Sequence, residues 1–395
     1  SASYYSDEPI STATQLGLSI AETPQSISII SEEQMDDFAL DTLNSVLRYA
    51  PGINVESVET DRHYYTARGF DITNFQIDGL GLPLVFGNIA GNLDSAFYSE
   101  VQVLRGANGL ATGSGNPSAT INLVRKRPTD DFQASIETTY GSWNKYRGVV
   151  DVSSPLNESG SIRGRLVAVG QDSESYLDRY ENQRFGLYGI IEADLTDRTM
   201  LSVGQTYQTN RTDSPSWGAL PVVYSDGTPT NYDVSTTTSA DWAYWNNESY
   251  TTFVRLDQEL SDTWSAKAEF SYTDFEQDSE LFYMYGFPDS TTGLGLFAYP
   301  SYYESNSEEI IFNFSLEGEY EAFGRSHELV GGFNYGEIDL QQVSVYGPIG
   351  AAIPVPLENW TGNFPRPNFT PIPGVNVAGG PILYKEQSIY GATRF

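Results

Sequence analysis

The residues that could carry covalent or metal chemistry are few in this sequence. It has no cysteine and only two histidines. These histidines, His63 and His327, lie far apart and have no second ligand residue at a spacing typical of zinc sites. No Gly-x-Ser-x-Gly sequence is present to place a serine nucleophile. The segment 113–116 lacks the third glycine of a dinucleotide-binding loop and predicts a glycine turn. We therefore expect no enzyme, no catalytic residue and no resident metal or cofactor.

Aromatic side chains are the more prominent candidates, and their chemistry is that of binding. The chain has 27 tyrosines, 20 phenylalanines and 6 tryptophans beside only 3 methionines. Their rings offer flat apolar surface, and Tyr and Trp add a hydrogen-bonding group, which suits a bulky and partly apolar ligand. The candidates in or beside long segments between predicted strands are Trp217, Tyr244, Tyr283, Tyr285 and Trp360. Each is equally consistent with an interfacial or loop-packing residue.

Charge and hydropathy restrict the class of protein. The formal net charge of -31 argues against nucleic-acid binding, which needs a basic surface to neutralise phosphates. No run of 18 uninterrupted apolar residues is present, so a helical membrane protein is not expected. Abundant aromatics in a chain that is only 39% hydrophobic are typical of a transmembrane β-barrel, with a soluble all-β protein as the alternative.

The first part of the chain, to about residue 128, has the sequence pattern of a small α+β domain. Ser31 and Gln34 have the spacing of a capping box, which predicts a helix beginning there. A second helix is expected from Thr42 to Tyr49, ending before Pro51. Short apolar runs predict strands at 26–30, 75–77, 101–104 and 121–124.

After residue 128 the pattern changes to alternation with period two, which is typical of strands that face two environments. Examples are 132–140, 264–273 and 310–320. Short polar turns at 155–160, 195–198, 260–263 and 323–326 alternate with long segments at 173–182, 211–246, 276–307 and 344–384. Short periplasmic turns and long extracellular loops alternate in this way in outer-membrane barrels. The last segment is proline-rich and predicts a stiff loop, either a lid over a pocket or a rigid surface loop.

Six runs in the first part resemble the plug of the TonB-dependent siderophore receptors, and they occur in the family's order. They are 22–26, 31–35, 67–70, 77–79, 103–110 and 121–128. Later runs at 140–145, 176–180, 214–221, 241–244 and 361–365 look most similar to the receptors for ferric coprogen and ferric-rhodotorulic acid. Ferric-pyoverdine receptors look slightly more distant.

The resemblance implies a transmembrane antiparallel β-barrel with an N-terminal α+β plug domain. The family's barrel has 22 strands, whereas we count about ten here, and ten strands form too narrow a barrel to surround a plug. We therefore expect an incomplete barrel. The expected domains are an N-terminal extension at 1–20, the plug at 21–128 and the N-terminal half of the barrel at 129–395.

The resemblance also implies where a ligand binds and what holds the plug. The plug apices correspond to 56–65 and 80–92, where the ligand-binding candidates are Arg62, Tyr64, Phe86 and Asn88. The residues expected to anchor or gate the plug are Arg68, Asp78, Arg105 and Arg125. Two departures from the family concern this region. The sequence at 99–102 lacks the usual charged pattern for plug-to-barrel pairing, and 80–92 contains no Arg or Lys.

The function that the resemblance implies is import of a ferric siderophore, with hydroxamate chelates expected because their alkyl arms suit aromatic pockets. Iron would be present only as the chelated ligand. The expected partners are the siderophore, TonB with ExbB-ExbD, and outer-membrane lipid and lipopolysaccharide, in the cell outer membrane of a Gram-negative bacterium. Residues 1–15 show no clear TonB box. The alternatives are a TonB-dependent receptor for a catecholate chelate, cobalamin or a glycan, or a passive porin.

Overall fold

The computed structural model describes residues 25–106 and 117–394. The predicted extension at 1–20, the predicted turn at 113–116 and the region searched for a TonB box lie outside these residues. The described chain has a compact α+β part, up to residue 125, and a wall of long strands that begins at residue 133. None of its helices is long and apolar enough to cross a membrane.

Two capped helices open the α+β part. Helix α1 (Glu32–Asp37) begins at the predicted capping box, in which the Ser31 hydroxyl accepts the Gln34 N–H and the Gln34 side chain accepts the Ser31 N–H. Helix α2 (Leu43–Tyr49) is capped by Thr42 and ends before Pro51, one residue shorter than predicted. Both predictions of a helix are confirmed.

Eight short strands complete this part. They are β1 (Ser26–Ser31), β2 (Asn54–Ser57), β3 (Arg62–Ala67), β4 (Phe70–Asp71), β5 (Asn74–Ile77), β6 (Asn88–Ala90), β7 (Tyr98–Arg105) and β8 (Ala119–Arg125). One sheet has the order β1-β7-β8-β5, and a second places β3 against β2, β4 and β6. The four predicted strands all lie within observed ones. Fully buried Leu47, Val103 and Ile121 lie in the core of this part.

The wall is one antiparallel sheet in which strands that follow each other in sequence pair. Its long strands are β9 (Gln133–Gly141), β10 (Lys145–Pro155), β11 (Ile162–Glu174), β12 (Glu181–Thr196), β13 (Thr199–Asp213), β14 (Tyr244–Glu259), β15 (Trp264–Tyr285), β16 (Phe297–Ala322), β17 (Arg325–Tyr346) and β19 (Ile382–Arg394). The short β18 (Val377–Ala378) and β19 both pair with the far edge of β17. Within the described residues, β9 and β19 each pair on one side only, so the wall is open between them.

The two faces of the wall differ as the alternation predicted. On β16, Phe312 and Phe314 point outward and are 37% and 43% exposed, whereas Asn313 points inward and is 5% exposed. An apolar outer face with a polar inner face is the arrangement of a strand between lipid and a filled lumen. The inner face contacts the α+β part, where Phe97 packs on Tyr188 of β12.

The connections confirm the predicted short turns, which lie between strands at 156–161, 197–198, 260–263 and 323–324. At the other end the segments 214–243 and 347–376 are long, as expected. The prediction of a long connection over 276–307 was wrong, because β15 and β16 continue to pair as far as Tyr285 and Phe297. Alternating side chains persist there, so the strands extend and only 286–296 forms the loop.

Candidate ligand-binding site

A cavity of about 700 Å³ lies between the top of the α+β part and the inner face of the wall. The α+β part contributes β3 and the segment 80–90, and the wall contributes inward residues of β13 to β17. Rings at its edge include Trp217, Trp245, Tyr303 and Tyr346. The volume and the mixed aromatic and polar lining are those of a site for a small organic ligand.

The four plug-apex candidates all line this cavity. Strands β3 and β6 are paired so that Tyr64 is opposite Asn88. The Asn88 amide donates to the Tyr64 hydroxyl at 3.3 Å. Phe86 lies on the connection before β6 and is 49% exposed. Sequence reasoning therefore selected a group of residues that the fold brings together.

The Arg62 side chain is held in the cavity by Glu59 and by the Trp245 ring. Its guanidinium makes two hydrogen bonds to the Glu59 carboxylate, one of them 2.6 Å long from Nη2. It also lies over the Trp245 ring, 5.5 Å from the centroid. Because the Glu59 side chain is only 5% exposed, the pair is partly desolvated. The arrangement fixes the guanidinium and leaves its charge compensated.

An aromatic cluster continues from the outer end of the cavity. We define it as Trp217, Tyr283, Tyr285, Tyr299 and Tyr346. The Trp217 ring is 5.4 Å from that of Tyr283 and 5.8 Å from that of Tyr299, and Tyr299 also contacts the other two rings. Tyr283 and Tyr299 are register partners on β15 and β16. Three predicted residues, Trp217, Tyr283 and Tyr285, thus come together.

Two predicted residues are not part of this site. Tyr244 lies on the outward side of β14, where its hydroxyl donates to Asp278 at 3.1 Å, and it is the next residue, Trp245, that lines the cavity. Trp360 is 9% exposed, stacks on Phe282 at 5.9 Å and donates to the Ser239 carbonyl at 2.7 Å. The first error arises because a shift of one residue along a strand reverses the face.

The proline-rich connection also lies elsewhere. Its apolar residues Ile353, Leu357 and Trp360 pack with Phe282 and Met284, which point away from the cavity. In the part of the chain that the structure describes, no residue of 347–381 lines the cavity. The packing agrees with a rigid surface loop rather than a lid over the pocket, because the apolar side chains of this connection are buried against the outer side of the wall.

Sequence reasoning missed six rings of the cavity lining and the aromatic cluster, namely Phe75, Trp245, Phe275, Tyr299, Tyr303 and Tyr346. A signal for Tyr299 was available, since it shares an inward face with Tyr303 by period-two spacing. Trp245 was passed over in favour of its neighbour. The position of Tyr346 could be inferred only from the register of β17 on β16, in which Tyr346 pairs with Ser301.

The four expected anchoring residues have different roles. Asp78 pairs with Arg125, both within the α+β part, with Nη1 2.9 Å from the carboxylate. Arg125 also covers the Phe253 ring of β14 at 3.9 Å, so this pair does contact the wall. Burial raises the pKa of Asp78, but Arg125 and Arg127 outweigh it, so the pKa lies below its ordinary value.

Arg105 and Arg68 do not anchor the plug to the described wall. Arg105 donates to the Pro51 carbonyl and the Ser28 hydroxyl, each at 2.9 Å, and so ties together two segments of the α+β part. Arg68 is exposed in the turn between β3 and β4, with φ of 56°. The contacts of Arg105 suit stabilisation of the plug itself.

The plug is held instead by charges that the sequence did not reveal. Asp94 is fully buried, accepts hydrogen bonds from Arg147 of β10 at 2.7 and 2.8 Å, and forms an ion pair with Arg184 of β12 at 2.7 Å. Burial raises the pKa of Asp94, but the two guanidinium groups outweigh it and hold the pKa below its ordinary value. Lys126 pairs with Asp151 at 3.0 Å, and Arg127 with Glu192 at 2.8 Å. Plug-to-barrel ion pairing is therefore present despite the altered sequence at 99–102.

Comparison with known proteins bears on both parts of the chain. Residues 19–120 match the family described as TonB-dependent Receptor Plug Domain. The ferripyoverdine receptor of Pseudomonas aeruginosa is 41% identical over 337 residues, which cover 83% of this chain and 41% of that protein. The ferrioxamine B receptor of Salmonella typhimurium is 23% identical over 365 residues, which cover 87% of this chain and 50% of that protein.

A solved structure of a pyoverdine outer-membrane receptor from Pseudomonas aeruginosa, bound to pyoverdine, superposes with a TM-score of 0.92. Its sequence is 34% identical, and the match covers 100% of this chain and 57% of that one. The chain thus spans about half the length of the relatives it matches. Ferric-pyoverdine receptors are prominent among them, and the predicted special likeness to coprogen and rhodotorulic acid receptors is not supported. The short loop motifs behind that prediction do not separate such related receptors.

Proposed function

We infer that this chain is part of a TonB-dependent receptor in the outer membrane of a Gram-negative bacterium, and from this premise we propose that it binds a ferric siderophore outside and imports it. The energy for import comes from TonB with ExbB-ExbD, and the iron is carried as the chelated ligand. The outward apolar face of the wall contacts outer-membrane lipid and lipopolysaccharide. That the relatives are receptors fits a protein without catalytic activity.

The observation that carries this proposal is the aromatic cavity above the plug. Its lining includes β3, the segment 80–90 and parts of β5 and β8 from the α+β part, together with Trp217 of the connection between β13 and β14. A ferric chelate is a bulky body with apolar arms, which aromatic faces can bury while Arg62, Tyr64 and Asn88 supply hydrogen bonds for orientation. The passive-porin alternative is disfavoured, because the α+β part packs against the inner face of the wall.

The type of chelate is the finer part of the proposal. Similarity to ferric-pyoverdine receptors supports a pyoverdine-type chelate, and we retain hydroxamate groups as the expected iron-binding chemistry. Catecholate chelates, cobalamin and glycans are the alternatives within the same transport class.

Binding of ferripyoverdine to the purified receptor in detergent, followed by tryptophan quenching, tests the proposal. We expect tight binding of the ferric form, weaker binding of the iron-free form, and a loss of about tenfold in affinity for Trp217→Ala. Ferrioxamine B, a ferric catecholate and cobalamin serve as comparison ligands. If only cobalamin binds, the siderophore assignment is wrong.

A further inference from the structure

Hydrogen bonds join the apex of the plug, at residues 59–61, to the wall at the end of β13 and in the connection from β13 to β14. The Gly218 N–H points to the Glu59 carboxylate at 3.5 Å. Three hydrogen bonds join Thr60 and Ser216. The Thr60 N–H and hydroxyl donate to the Ser216 carbonyl at 3.3 and 3.4 Å, and the Ser216 N–H donates to the Thr60 hydroxyl at 3.1 Å. As the plug residue number rises, the number of its partner falls, so the two segments run antiparallel.

The third contact of this series is a buried carboxylate. Asp61 is fully buried and accepts hydrogen bonds from the hydroxyls of Thr212 and Thr60, both at 2.6 Å. Thr212 is also fully buried, at the outer end of β13. Removal of one partner would leave a buried polar group without its bond, which is unfavourable. The contact therefore fixes the apex to the wall.

The same connection reaches the cavity through its side chain. Trp217 lies between Ser216 and Gly218, and its ring packs on Tyr283 and Tyr299 of the aromatic cluster. Gly218 has φ of 75°, and a Cβ added there would be 2.8 Å from the Tyr283 ring. The backbone is thus closely packed on the cluster, so a displaced Trp217 ring would displace the main chain that holds the apex.

A second route converges on the same plug residues. Arg62 lines the cavity and binds Glu59, the residue whose carboxylate also faces the Gly218 N–H. A ligand that contacts Arg62 or Trp217 therefore acts on one continuous set of bonds.

From these contacts we propose that residues 216–218 are a coupling segment: contact of the ligand with Trp217 is transmitted to the plug apex at 59–62 through the bonds of Thr60 and Asp61. The inference rests on the proposed function, since it concerns the same cavity. Thr60, Asp61 and Thr212 are positioning residues in this scheme and do not themselves line the cavity.

Hydrogen exchange of the receptor with and without ferripyoverdine tests the coupling. In the wild-type protein, we expect the ligand to slow amide exchange at 57–61, which do not line the cavity, by roughly tenfold. In the double variant Thr60→Val and Thr212→Val, the affinity should change by less than about threefold, whereas the slowing at 57–61 should be lost. The matched control is Thr199→Val, at the opposite end of β13, whose hydroxyl bonds Gln258.

The outcomes separate coupling from binding. Normal binding with full slowing at 57–61 in the double variant would overturn the coupling and leave the proposed function intact. Failure of the wild-type receptor to bind any ferric chelate would count against the proposed function instead.

Hydrogen exchange of the ligand-free receptor tests the coupling whether or not a ferric chelate binds. The double variant should exchange faster at 57–66 and at 214–219 together, because the same bonds hold both segments. If only one of the two segments responds, the segments are not coupled and the inference is wrong.

Discussion

Two fully buried carboxylates of the plug, Asp61 and Asp94, show how the partners of a side chain decide its ionisation. Asp94 meets two guanidinium groups of the wall, and its pKa lies below its ordinary value. Within the described residues, the Asp61 carboxylate accepts from the hydroxyls of Thr212 and Thr60, and burial dominates and raises its pKa to about 6. Asp94 is therefore a charged anchor, whereas Asp61 carries an unfavourable charge near neutral pH.

Asp94→Asn should weaken the docking of the plug. The substitution leaves Arg147 and Arg184 buried with less compensating charge, which costs about 3 kcal/mol. The measurement is the urea concentration at which the amides of β7 and β8 become exchangeable. The matched control is Asp194→Asn, which breaks an ion pair with Arg163 but is 38% exposed and should cost less than about 1 kcal/mol. Equal effects of the two substitutions would contradict the anchoring role.

Asp61→Asn should change the pH dependence of stability. Because the pKa of Asp61 is raised on folding, the folded state binds the proton more tightly, and wild-type stability falls as pH rises from about 4 to about 6. The neutral variant lacks this loss, so its stability relative to wild type should improve by on the order of 2 kcal/mol between pH 4 and pH 7. Thermal unfolding at pH 4.5, 6 and 7.5 measures it, and parallel curves would refute the assignment.

At the scale of elements, the connection from β13 to β14 places Trp217 by means of a glycine. Gly218→Ala should strain a backbone with positive φ and push the new Cβ against Tyr283, so chelate affinity should fall by about tenfold. The control is Gly227→Ala in the same connection, which has φ of 83° but open space around its Cβ. Titration of both variants with ferripyoverdine separates displacement of the ring from backbone strain alone.

For Trp360, in the proline-rich connection, we expect a substitution to lower stability and to leave chelate affinity nearly unchanged. Trp360→Ala removes a nearly buried ring from its stack on Phe282 and should lower stability by about 3 kcal/mol. Because the ring is outside the cavity, chelate affinity should change by less than about threefold. Thermal unfolding and a binding titration measure the two effects, and a large loss of affinity without loss of stability would place Trp360 in the site.

At the scale of the whole molecule, the plug and the wall are held by different kinds of interaction. Every residue of β15 has a register partner on β16, whereas the plug meets the wall through ion pairs, hydrogen bonds and a limited apolar contact. Urea solvates peptide groups and should therefore expose the amides of β3 and β5 at a lower concentration than those of β12 to β16. Hydrogen exchange in a urea series measures the order, and a common midpoint would contradict it.

The sequence by itself determined the class of architecture, because local patterns encode it. The capping box at Ser31, the buried strand around Val103 and the alternation around Phe312 each depend on neighbours in the chain. The plug-apex candidates Arg62, Tyr64, Phe86 and Asn88 also came from the sequence, through the segments 56–65 and 80–92 that the resemblance implied as plug apices.

Only the tertiary structure decided which side chains meet across the molecule. Trp245 rather than Tyr244 lines the cavity, because strand register fixes the face. Asp94 rather than Arg105 anchors the plug, because its partners Arg147 and Arg184 are 53 and 90 residues further along the chain. Such pairings follow from the order and register of strands in the wall, and no local pattern of residue types contains them.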